Sequence, residues 1–279
     1  MKRILTIQDI SCVGKCSLTV ALPVISAFGV ETCVLPTAVL STHTAFNNFT
    51  FRDLTGDINA ITKHWQEQNI TFDAIYTGYL GSFEQLKIVS DIFDKFRPKD
   101  GFIIVDPVMA DNGALYSGFS QEFVFEMAKL CNKADIIVPN MTEACFMLNI
   151  PYVKSGYTEE DIKDILKKLT DGGAKTAILT GVSFDEARLG AYGYDSVNKK
   201  YFSYFSDYIP ASFHGTGDIF ASTITGALSV GKSLENALKI AVDFTVKSIE
   251  FTVSEKKHNW YGVNFENAFP YLIKEIEKQ

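Results

Sequence analysis

Two glycine-containing stretches have the spacing to hold a phosphate. His214–Asp218 reads HGTGD, two glycines around a threonine followed by a carboxylate. If that turn opens a helix, the backbone N–H groups around Gly215, Thr216 and Gly217 form an anion cradle backed by the helix dipole. Asp218 then stands where a general base could take the proton of a hydroxyl attacking a γ-phosphate. The plainer role for Asp218 is an N-cap. The second stretch, Gly226–Ser233, reads GALSVGKS and fits the P-loop pattern G-x-x-x-x-G-K-[ST]. A P-loop needs a strand before its first glycine. Here Ile219, Phe220, Ile224, Ala227 and Leu228 recur at spacings of three and four, which puts Gly226 inside a helix as a close-packing residue. Gly231 and Ser233 then cap an inter-helix break, with Lys232 in solvent. The P-loop fails on context.

Further oxygen donors follow apolar runs. FIIVD ends on Asp106, and ADIIVPN ends on Asn140, with Glu143 three residues on. FIIVD also resembles a Walker B strand, as any buried parallel strand ending in Asp does. Carboxylates are hard donors suited to Mg²⁺, which keeps several waters and takes few protein ligands. The structural alternatives are that Asp106 only ends a strand and Asn140 only caps the helix of Glu143. His43 and His214 read as packing or hydrogen-bonding groups.

The elements that must position these groups alternate along the chain. RILTIQD, VETCVLP, FDAIYTGYL, GFIIVDP, ADIIVPN and KTAILTG read as strands. Between them lie helices near Lys15–Phe28 (with Pro23 bending it), AITKHWQEQ, FEQLKIVSDIFDKF, QEFVFEMAKLC, Glu143–Leu148 and Glu159–Leu169. RLGAYGYDSVNKKYFSYFS predicts an antiparallel hairpin about DSVNKK, and helices dominate from Gly217 to the end. The pattern predicts one doubly wound α/β domain over residues 1–279, with ligands beyond the carboxyl ends of a mostly parallel sheet.

Composition narrows the partners. A net charge of −7 and a pI near 5.2, with no Lys/Arg block, argue against nucleic-acid binding. No apolar run approaches a membrane span. Five cysteines without a C-x-x-C pair fit reduced thiols in a cytoplasmic protein with a small-molecule substrate.

Taken together, ILTIQD, STHT (Ser41–Thr44), TGYLGSFEQ, VDPVM, VPNMTEA and HGTGDIFAS resemble the ribokinase-like superfamily and, within it, the pyridoxal (vitamin B6) kinases. The vitamin B6 branch rests mainly on STHT and GYLGS. The resemblance implies a three-layer α/β/α fold with helices on both faces of the sheet. It also implies ATP- and Mg²⁺-dependent phosphorylation of the 5′-hydroxymethyl group of pyridoxal, pyridoxine or pyridoxamine. By the same resemblance Asp218 is the base, and Gly215, Thr216 and Gly217 form the anion hole. Asn140 and Glu143 position Mg²⁺ through water, and Asp106 lies near metal and phosphates. Val138, Glu143 and Thr180 line the nucleotide path, while Thr44 and Tyr79 contact the pyridine ring. Asp9 occupies a position that is usually serine, which points to a protonated or amine-bearing ring, or to a different substrate. A homodimer and a monovalent cation belong to the same set of expectations. The alternatives are a hydroxymethylpyrimidine kinase of the same fold and a non-catalytic ligand-binding descendant. A sugar kinase is disfavoured because there is no early glycine pair.

Overall fold

The computed structural model describes residues 1–278, which form two compact units. The first comprises Met1–Tyr76, Pro98–Gly101 and the chain from Ile209 on; the second comprises Thr77–Arg97 and Phe102–Tyr208.

In the first unit the strand order is Ala74–Thr77, Arg3–Ser11, Glu31–Leu40, Phe51–Asp53, with Thr77 itself opening the second unit. Arg3–Ser11 runs parallel to Glu31–Leu40, starting from Arg3 opposite Glu31. Ile4, Leu5 and Ile7 are fully buried, as expected for a strand covered on both faces. The register shifts between Gln8 and Ile10, at Asp9. The crossover helix spans Leu18–Ser26 and contains Pro23. It starts three residues later than the sequence predicts. Gly14, Lys15 and Ser17 all have positive φ (149°, 53° and 51°), so the chain turns sharply before helix can begin.

Helix Thr216–Ser229 packs on both Leu18–Ser26 and Leu234–Ser254. Gly226 lies in it at a close approach: a Cβ there would sit 2.2 Å from Cδ2 of the buried Phe28 ring. Gly226→Ala is therefore expected to lose about 1–3 kcal/mol to overpacking, despite the better helix propensity of alanine. Urea denaturation checks this, and a stabilised variant would contradict the close packing.

In the second unit the order is Lys200–Asp207, Arg188–Asp195, Thr176–Asp185, Ile136–Ile137, Phe102–Val105. The last three strands are parallel, and the first two form the expected antiparallel hairpin. Asp195 Oδ1 fixes its turn by accepting the N–H groups of Val197 and Asn198 at 3.0 and 3.2 Å. Helices Phe83–Phe96 and Gln121–Cys131 fall where their apolar periodicity puts them, and the hydroxyls of Ser82 and Ser120 cap them. Sequence reading overlooked a small hairpin, Ala110–Asp111 with Ala114–Leu115. Its signal was present in Asn112-Gly113, both at positive φ (51° and 79°) as a two-residue hairpin turn demands. Among the described residues no helix is long and apolar enough to cross a membrane.

Candidate active site

Four residues of the first unit meet around the glycine turn: Asp9, Cys16, Ser17 and Asp218. Gly215 is the N-cap of helix Thr216–Ser229, with φ 82°. A Cβ on it would stand 2.0 Å from the Lys15 carbonyl oxygen, so only glycine fits. Thr216 Oγ1 donates to the Phe213 carbonyl at 3.2 Å. The first-turn N–H groups of this helix have no carbonyl four residues back within the helix to receive them. These are the groups expected from the sequence to form an anion cradle.

Asp218 is the third helical residue and its side chain makes no cap bond, so the N-cap role falls to Gly215. Its carboxyl keeps partial contact with solvent, yet the surrounding protein pushes it up to about 7. Desolvation is the largest cause, and the negative charge of Asp9 adds to it; the Ser17 backbone N–H works against both. Asp9, only 4% exposed, accepts a hydrogen bond from Ser11 Oγ at 3.2 Å. Burial raises its carboxyl too, opposed by the hydroxyls of Ser17 and Ser11. Burial and then the Asp218 charge push the Cys16 thiol up, so it stays protonated. The place of Cys16 and Ser17 beside Asp218 is not predicted by the sequence, because nothing in GKCS announces left-handed backbone at Lys15 and Ser17. Thr44 lies exposed in the turn after His43. His43 is a packing residue: its Nδ1 accepts from the Ala45 N–H, its Nε2 donates to the Tyr261 carbonyl at 2.9 Å, and its ring lies 4.8 Å from that of His214.

In the second unit Asn140 and Glu143 form a reciprocal capping box on helix Met141–Met147. Asn140 Oδ1 accepts from the Glu143 N–H at 3.0 Å, and Glu143 Oε2 from the Asn140 N–H at 2.9 Å. Glu143 Oε1 accepts from the Met109 N–H at 3.1 Å, and Asn140 Nδ2 donates to the Ala110 carbonyl at 2.8 Å. The N-x-x-E element thus ties its helix to the loop after Asp106. Burial pushes Glu143 up to about 8, against the pull of three backbone N–H groups. Asp106 is 7% exposed; burial, and after it the charges of Glu143 and Asp106, raise the Cys131 thiol. Val138 is buried, and the Thr180 N–H donates to the Pro139 carbonyl at 3.0 Å beside Asn140. Tyr79 is half-buried with its ring 5.7 Å from Phe119.

Among the described residues no three His, Cys, Asp or Glu side chains converge on a metal position. Both oxygens of Glu143 already receive backbone N–H groups, so its chemistry fits orienting a metal's water and not direct ligation. The GKS stretch is an inter-helix break, as its context predicts: Gly231 has φ 85° and Ser233 Oγ accepts from the Asn236 N–H. One detail differs. Lys232 is half-buried and not free in solvent, because its ammonium donates to the Lys278 carbonyl, one of the carbonyls that a helix end leaves without an intrahelical partner.

A mostly parallel α/β chain whose glycine-opened helix presents a carboxylate is a kinase of the ribokinase-like class. The chain belongs to the phosphomethylpyrimidine kinase family, whose sequence profile matches residues 22–262. A Bacteroides thetaiotaomicron structure assigned to that family, crystallised with pyridoxal, is 42% identical with a TM-score of 0.92, covering 97% of this chain and 95% of its own. Pyridoxal kinase from Lactobacillus plantarum is 29% identical with a TM-score of 0.90, covering 98% of this chain and 97% of its own. The pyridoxal kinase of Arabidopsis thaliana is 24% identical over 99% of this chain and 90% of its own. The protein is therefore an enzyme that transfers a phosphoryl group to a hydroxyl.

Proposed function

We propose that the protein phosphorylates the 5′-hydroxymethyl group of pyridoxal, pyridoxine or pyridoxamine with ATP. The observation that carries this is Asp218: a carboxyl raised to about 7, in the first turn of a helix opened by an obligatory glycine. Such a group is matched to general-base work near neutrality. Asp218 takes the hydroxymethyl proton as the oxygen attacks the γ-phosphate. The N–H groups around Gly215, Thr216 and Gly217 stabilise the charge that develops on the phosphoryl oxygens. Asp9 contacts the ring, with Thr44 and Tyr79 as further ring contacts. Val138, Thr180 and Glu143 line the nucleotide path.

Magnesium neutralises phosphate charge when bound. Asp106 would hold it, and Asn140 and Glu143 would orient its water. Glu143→Gln is expected to raise the Mg²⁺ concentration for half-maximal activity. It should also cost about 1–3 kcal/mol, since the new NH₂ must face one of two backbone donors. A Mg²⁺ titration with urea denaturation checks both effects, and an unchanged titration removes Glu143 from the metal's surroundings.

A monovalent-cation requirement, a homodimer and a cytoplasmic location complete the proposal; five free cysteines support the last. The family match favours one second reading, a hydroxymethylpyrimidine kinase. ADP release measured with each B6 vitamer, hydroxymethylpyrimidine and ribose separates the two. Turnover with a vitamer and background with ribose are expected. Turnover with hydroxymethylpyrimidine alone selects the second reading.

A further inference from the structure

Asp9 is a buried acid that forms no ion pair among the described residues. It lies 4% exposed where the register of its strand shifts, a place where strands re-aim side chains toward sites. Its partners are Ser11 Oγ at 3.2 Å, the Ser17 hydroxyl and its own backbone N–H. The ionisable groups that act on this cluster are Asp218 from the helix and Cys16 from the loop, an acid and a protonated thiol. The cation nearest in sequence is committed elsewhere: Lys15 Nζ donates to Asn264 Oδ1 at 3.0 Å and to Glu266 Oε2 at 2.8 Å. Burial lowers the His43 imidazole, against the Tyr261 carbonyl that its Nε2 meets, and its Nδ1 accepts from the Ala45 N–H. A buried carboxylate needs a counter-charge or a full set of well-formed hydrogen bonds, and two hydroxyls with one N–H supply no charge.

We propose that the missing counter-charge is carried by the substrate: Asp9 selects a heterocycle whose ring nitrogen is protonated, and its carboxylate accepts that N–H. This rests on the kinase reading above and names the charge state its substrate must have. The complex then holds one proton, shared between ring and carboxylate, that free enzyme and free neutral ring lack above their own pKa values. Affinity must fall as pH rises through that range, by up to about tenfold per pH unit for one proton. A neutral ring without the nitrogen gains nothing from Asp9.

The test is calorimetric binding of pyridoxine, and of a benzene-ring analogue lacking the nitrogen, between pH 6.5 and 9. It uses the full chain and the variants Asp9→Asn and Asp9→Ser, either of which keeps the experiment open if the other fails to fold. Steady-state kinetics are measured alongside. Asp218 titrates in all three proteins but loses the push of the Asp9 charge in the variants; the benzene analogue reports that change alone, so the difference between the two ligands isolates Asp9. The expected result is a steep loss of pyridoxine affinity with pH in the native protein that flattens in both variants. KM at pH 7 should rise at least about tenfold with kcat changed less than about threefold, and the benzene analogue should bind all three alike. Pyridoxine binding with the same pH slope in native protein and variants overturns the role of Asp9 and leaves the kinase reading standing. No pyridoxine binding to the native protein overturns both.

Discussion

Asp218→Asn is expected to lower turnover by about 10²–10⁴-fold while ATP binding changes far less. Asparagine keeps the size of the side chain and the start of the helix, and removes only the base. The native enzyme should gain activity as pH rises through about 7, as the Asp218 carboxyl loses its proton. The same substitution should stabilise the fold. A carboxyl raised from 3.8 to about 7 costs the folded state stability as pH climbs between those values. Relief in Asp218→Asn should therefore be absent near pH 4 and on the order of 2 kcal/mol at pH 8, allowing for partial solvent contact. Thermal unfolding at the two pH values checks it. A variant that is inactive but no more stable at pH 8 would mean that Asp218 is not strained by burial.

The second large effect separates the two glycines of the turn. Gly215→Ala combines a left-handed φ with a Cβ 2.0 Å from a backbone oxygen. It should cost roughly 2–5 kcal/mol, and activity falls with the fold. Gly217 has no such constraint: a Cβ there meets nothing within 4 Å. Gly217→Ala should fold normally and gain up to about 1 kcal/mol of helix propensity. Its methyl group would enter the space assigned to the phosphoryl group, so turnover should fall by at least about tenfold. Urea denaturation and ADP release measured on both variants test the pair. A fully active Gly217→Ala would remove the anion hole from this turn.

Much of this was legible in the sequence because its signals are local. The apolar period of Phe83–Phe96, the Gly226 close approach and the Gly231–Ser233 break follow from spacing and cap residues alone. The Asn140 cap on the helix of Glu143 is legible in the sequence, and the reciprocal bond from Glu143 is seen only in the structure. What spacing does not carry is the meeting of distant residues. The positive φ of Lys15 and Ser17 has no composition signal, yet it brings the Ser17 N–H to Asp218. The bonds from Asn140 Nδ2 to the Ala110 carbonyl and from the Met109 N–H to Glu143 join segments about thirty residues apart. Ala110 belongs to a hairpin whose Asn-Gly turn is visible in the sequence. The sequence predicts a solvated Lys232 because the partner it finds is a main-chain carbonyl at the end of the last helix, a group without a residue type to flag it.

The central claim is that Gly215–Asp218, and not Gly226–Ser233, serves phosphoryl transfer to a B6 vitamer. ADP release with pyridoxal, measured side by side for the native protein, Asp218→Asn and Lys232→Ala, tests it most directly. The account predicts an active native enzyme, an Asp218→Asn variant at least about a hundredfold slower, and a Lys232→Ala variant within about twofold of native. An inactive Lys232→Ala beside an active Asp218→Asn would contradict it.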